Sequence, residues 1–73
     1  MKRFRALAGR MAELGIDRPY LAKKLNISLP SVDRRFAGKQ PWKLDEMYRT
    51  LDIIQKPEKA LHYFFPRNGG IAS

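Results

Sequence analysis

The stretch from Asp17 to Gly38 uses one device twice, and that doubling constrains the fold more than anything else in the chain. Each copy is a capping residue, any residue, then proline: Asp17-Arg18-Pro19, followed by Ser28-Leu29-Pro30. The side-chain oxygens of Asp and Ser accept free N–H groups of a first helical turn. A proline two positions on loses nothing, because its missing N–H has no partner inside the helix. The spacing therefore predicts two consecutive short helices, over 18–25 and 29–37. Leu21, Ala22 and Leu25 share one face of the first; Val32 and Phe36 share one face of the second. Asn26 and Ile27 are left for the turn. Asn tolerates a left-handed backbone, and Ile27 pins the turn to the core. Gly38 closes the second helix as a left-handed cap. Two helices joined by so short a turn cross steeply, as in a helix-turn-helix. A plain structural hairpin has the same spacing and caps.

Around this pair the chain reads as helices throughout. Phe4, Leu7, Ala8, Met11 and Leu14 step by 3 or 4, giving one apolar stripe on a first helix over 2–14, closed by Gly15. Lys2 and Arg3 oppose that helix's dipole, as a frayed start or as a reach toward phosphate. Pro41 keeps the segment after Gly38 a loop, and Trp42 reads as a buried lid on the core. A fourth helix over 44–53 carries Leu44, Met47, Tyr48, Leu51 and Ile54 at helical period, with Asp45 and Glu46 in its first turn. Lys43 is a poor cap for it. Pro57 opens a short fifth helix with Ala60, Leu61 and Phe64 inward. Arg67 to Ser73 has no period and two adjacent glycines. The expectation is an all-α fold of five short helices, one domain over 1–66, and a disordered tail over 67–73.

Small size and composition exclude much. A chain of 73 residues buries only about 60% of its unfolded surface. It has no cysteine and a single histidine, His62, so no zinc ligand set is expected. His62 has no acidic neighbour at a useful spacing, and no paired carboxylates or activated nucleophile stand out. No enzyme, no cofactor and no small-molecule ligand are expected. No apolar run approaches the roughly 20 residues of a membrane span, and none follows the basic start. The expectation is a soluble, cytoplasmic protein with no membrane partner. The net charge is +8, unevenly placed: residues 1–39 hold ten Lys/Arg against three acids. A positive field concentrated on the half that carries the helix pair points to a polyanion, most often nucleic acid.

The run Gly15-Ile16, Leu21-Ala22-Lys23-Lys24-Leu25-Asn26-Ile27-Ser28, Ser31-Val32, Arg34 and Phe36-Ala37-Gly38-Lys39 resembles the Cro and phage-repressor (XRE-type) helix-turn-helix family. The likeness continues through Trp42-Lys43-Leu44-Asp45-Glu46, and the Phe64-Phe65-Pro66 ending is similar to small prophage regulators. It implies a lambda-repressor-like domain with the helix-turn-helix at 18–37, binding double-stranded operator DNA as a homodimer in a bacterial or phage-infected cell and regulating transcription. The chain departs from the family's pattern at three points. Asn26 stands where glycine is frequent. Arg18 stands where glutamine is common and typically touches a phosphate. Leu29-Pro30 replaces two polar residues that read base edges.

On a helical wheel of 29–37, Pro30, Ser31 and Arg34 lie opposite the buried Val32 and Phe36, with Asp33 and Arg35 on the flanks. An exposed face of this kind suits the major groove. Arg34 is the candidate for a bidentate bond to guanine. Leu29 and Pro30 offer apolar contact to a thymine methyl, Ser31 a bond to base or phosphate, and Asp33 an acceptor for a cytosine amine or a prop for Arg34 or Arg35. Arg18, Ser28, Arg35, Lys39 and Lys43 are the candidate phosphate contacts. For each charged residue the competing reading is a solvated face. The alternative function is a helix-turn-helix-derived protein-interaction module, motivated by apolar Leu29-Pro30; a nonspecific nucleic-acid binder is the third. Tyr63, Phe64, Phe65 and the Trp42 region offer aromatic surface for a dimer, unless Phe64 and Phe65 plug the core of a monomer.

Overall fold

The two proline-marked caps form as the sequence predicts. Asp17 Oδ1 accepts the Tyr20 N–H at 2.9 Å, and Ser28 Oγ accepts the Ser31 N–H at 3.2 Å. They open α2 (Arg18–Leu25) and α3 (Leu29–Phe36) in a computed structural model that describes residues 4–66. The described residues are all-α. α1 (Arg5–Leu14) precedes the pair, and α4 (Leu44–Ile53), a single 3-10 turn (Glu58–Ala60) and α5 (Leu61–Phe64) follow it. The expectations for Lys2, Arg3 and the 67–73 tail fall outside the described residues.

Four segments end in one way. Gly15, Asn26, Gly38 and Gln55 all adopt left-handed backbone, with φ of 70°, 60°, 77° and 60°. In each case the left-handed residue and the one after it return their N–H groups to carbonyls of the last turn. Asn26 bonds to Lys23 and Ile27 to Ala22; Gly38 bonds to Arg35 and Lys39 to Arg34. This double closure satisfies carbonyls that would otherwise be orphaned. Three of the four residues suit the conformation. Gln55 does not, since its Cβ crowds the neighbouring carbonyl at a cost of roughly 1–2 kcal/mol. Gln55→Gly should stabilise the domain by about 0.5–1 kcal/mol, seen as a rise of several degrees in the thermal midpoint. A fall would mean that the Gln55 side chain contributes more than its backbone costs.

The core is built on four rings. Trp42 stands edge-on to Phe65 at 5.0 Å, to Phe36 at 5.6 Å and to Phe4 at 5.9 Å between centroids. Such contacts add about 0.5–1.5 kcal/mol each beyond area burial. They join the start of α1, the end of α3, the loop before α4 and the end of α5. The lid reading of Trp42 therefore holds. Its indole N–H has no partner among the described residues, a cost of roughly 1–3 kcal/mol set against the burial of four large rings. Phe4 explains why α1 begins at Arg5 and not at residue 2. Its backbone is left-handed, at φ 56°, so the ring can enter the cluster. Burying a phenylalanine is worth about 1.5–3 kcal/mol, enough to offset that strain.

Three further expectations change. Helical period places Leu44 and Tyr48 inward, yet both are exposed; α4 buries Glu46, Met47, Thr50 and Leu51 instead. Pro57 caps the 3-10 turn, and α5 proper starts only at Leu61. Of the aromatic residues suggested for a dimer surface, Trp42, Phe64 and Phe65 are buried; Tyr63 alone is exposed. Phe64 and Phe65 plug the core.

Candidate nucleic-acid interface

Val32 and Phe36 turn inward, so α3 presents its other side to solvent. Leu29, Pro30, Asp33 and Arg34 are exposed there, and Ser31 is half-buried. The structure thus brings together all five residues assigned to base reading. Two networks hold them.

The first runs from Ser28 to Gln40. Ser28 Oγ donates to Ser31 Oγ at 2.9 Å, while Arg34 Nη2 donates to Ser31 Oγ at 3.2 Å and Arg34 Nε to Gln40 Oε1 at 3.1 Å. Both partners of Arg34 are neutral and lie along one edge of the guanidinium. The edge formed by Nη1 and Nη2 keeps its donors. That edge matches the bidentate acceptor pair of a guanine, and its direction is fixed in advance. Ser31 Oγ accepts two hydrogen bonds in this chain, so its own proton is free to donate outward.

The second network crosses from α2 to α3. Arg18 Nη1 donates to Asp33 Oδ1 at 2.9 Å, with both side chains about half exposed. The Arg18 guanidinium carbon lies 4.5 Å from the Phe36 ring centroid. This stacking holds the arginine against the surface while part of its fork stays in water. Asp33 is therefore already engaged, with Arg18 and not with Arg34 or Arg35, the two arginines it was expected to prop. An exposed pair of this type contributes little to stability, about 0–1 kcal/mol.

Arg35 corrects the sequence reading. The wheel assigns it to a phosphate, but its side chain is only 4% exposed. Its Nε and Nη2 donate to Glu46 Oε1 and Oε2 at 2.9 and 3.1 Å, and Nη1 donates to the Ser31 carbonyl at 3.1 Å. A buried arginine needs such a partner, because an unpaired charge there is prohibitive. Three of its five N–H donors are taken, and burial keeps the other two from facing a phosphate. Glu46 also caps a helix. Its Oε1 accepts the Lys43 N–H at 3.0 Å, closing the start of α4 where the Lys43 side chain cannot. This is one half of a capping box, since Lys43 lacks the hydroxyl that completes it; the sequence reading gave Glu46 only a dipole role.

Lys39 and Lys43 are exposed and lie on the loop between α3 and α4. Neither has an ion-pair partner among the described residues. With Arg18, Lys23, Lys24 and Arg34 they make six exposed cations on α2, α3 and the loop. No protein family, curated protein or solved structure matches this chain. Gln40, Glu46 and Phe36 are the residues that sequence reasoning missed at the site. Each acts through an arginine six or more residues away, and apolar period carries no signal for such pairs.

Proposed function

We propose that this chain is a sequence-specific DNA-binding regulator of the Cro and phage-repressor type, using α2 and α3 as a helix-turn-helix. In this reading α3 lies in the major groove and the protein acts as a homodimer on operator DNA. The observation that carries the reading is Arg34: exposed, steered by Ser31 and Gln40, and left with a bidentate donor edge facing outward. Base pairs in the major groove are told apart by that kind of edge. Arg18, Lys39 and Lys43 are the phosphate contacts, with Ser28 at the start of α3. They set position and carry no sequence information. Leu29 and Pro30 supply apolar contact where thymine methyls line the groove.

The test is selection of bound sites from a random duplex library, followed by titration of the winner and of a scrambled duplex. With three phosphate-neutralising cations per protomer, a dimer's log affinity should fall against log salt with a slope of about −5. Arg18→Ala should weaken both duplexes alike and make the slope shallower. Equal, weak affinity for all duplexes would overturn the reading. Such a result would favour the second one, a protein-interaction module docking through exposed Leu29 and Pro30.

A further inference from the structure

Among the described residues, Tyr20, Leu29 and Tyr63 are each the one exposed large apolar side chain of their helix, as on any protein surface. Leu44 and Tyr48 share one helix. They sit one turn apart on α4, 55% and 39% exposed, and form a short apolar strip. Asp45 and Arg49, also one turn apart, lie along the same flank of that strip. Neither has an ion-pair partner among the described residues. A flank with opposite charges one turn apart is complementary to itself. Two copies of α4 laid antiparallel across a two-fold axis keep like flanks together. Asp45 then faces Arg49 of the partner subunit twice, and the Leu44 and Tyr48 strips cover one another.

The geometry points to α4 as the surface through which this chain pairs with a second copy of itself. α4 is also the helix to which the recognition helix is fastened, by the Arg35–Glu46 pair. Pairing through it ties the two α3 rods to one rigid centre. On DNA, the two α3 rods so tied would have to stand roughly 34 Å apart, one turn of the duplex. That last step rests on the proposed DNA-binding reading; the pairing surface does not.

The experiment uses sedimentation of the full chain without DNA over a concentration series. The mass should rise from 8.5 kDa toward twice that value. Asp45→Arg and Arg49→Asp should each weaken self-association at least about tenfold, because like charges then meet twice across the axis. Mixed in equal amounts, the two variants should recover the wild-type association, since each arginine again faces an aspartate. Both substitutions are at exposed positions, and circular dichroism checks that they leave the helices intact. A wild-type chain that stays monomeric to millimolar concentration overturns the inference. So do single variants that associate normally, or a mixture that fails to recover. Loss of DNA preference with normal pairing would strike the functional reading alone.

Discussion

Replacing Arg34 by alanine should leave the fold unchanged and cut the preference for operator over random duplex by roughly 5- to 150-fold. That range corresponds to the 1–3 kcal/mol a good bidentate pair contributes to discrimination. The side chain is exposed and bonded only to Ser31 and Gln40, so its removal leaves no buried group unpaired. The loss should fall on specific binding and spare most of the nonspecific affinity, which phosphate contacts carry. Arg34→Lys should recover little, because an ammonium cannot present two parallel donors in a plane. Gln40→Ala should give an intermediate loss: the guanidinium remains, but its direction is no longer held. Competition titrations against scrambled duplex measure all three. A specificity ratio unmoved by Arg34→Ala would place the reading face elsewhere.

The contrast between Arg34 and Arg35 marks where the sequence stops being legible. Caps, turn and helix ends could be read, because each is decided within five residues. Asp17, Ser28, Gly15, Asn26 and Gly38 all behave as their local chemistry dictates. Which of two adjacent arginines goes inside is decided by Glu46, on another helix, and therefore by how α3 lies on α4. Packing of α4 against α2, α5 and the 3-10 turn overrides its period, which alone places Leu44 and Tyr48 in the core. The helix is instead rotated to bury Glu46 and Thr50, which is tolerable only because both are satisfied. Glu46 holds Arg35 and the Lys43 N–H, and Thr50 Oγ1 donates to the Glu46 carbonyl at 2.7 Å. Phe4 is a third case. Its apolar step was legible, but not its left-handed backbone, which depends on three rings gathered from the middle and the far end of the chain. At the site, the exposed face of α3 that carries the five residues assigned to base reading could be identified from one helix. The props of Arg34 and Arg18 could not.

Breaking the Arg35–Glu46 pair should cost as much stability as truncating one of the buried core rings. Glu46→Ala leaves a guanidinium buried with one carbonyl as its partner, a loss of about 3–5 kcal/mol. A domain of this size has roughly 4–11 kcal/mol in total, so the variant should be close to unfolding at room temperature. The same substitution removes the acceptor that caps α4 at Lys43. Glu46→Gln keeps an acceptor for that N–H and one bond to Arg35 but drops the charge, and it should lose about half as much. Urea titration with an unchanged slope reads these losses directly. The informative variant is the double one, Arg35→Met with Glu46→Gln. It removes the ion while keeping the cap, and buried pairs replaced by apolar residues are often neutral in stability. If it folds as well as the wild type, the pair's value lies in fixing the angle of α3. Specificity should then drop while stability does not. A loss below about 1 kcal/mol in Glu46→Ala, the level of an exposed pair, would mean that water reaches these charges, and that α3 has a looser seat than its hydrogen bonds imply.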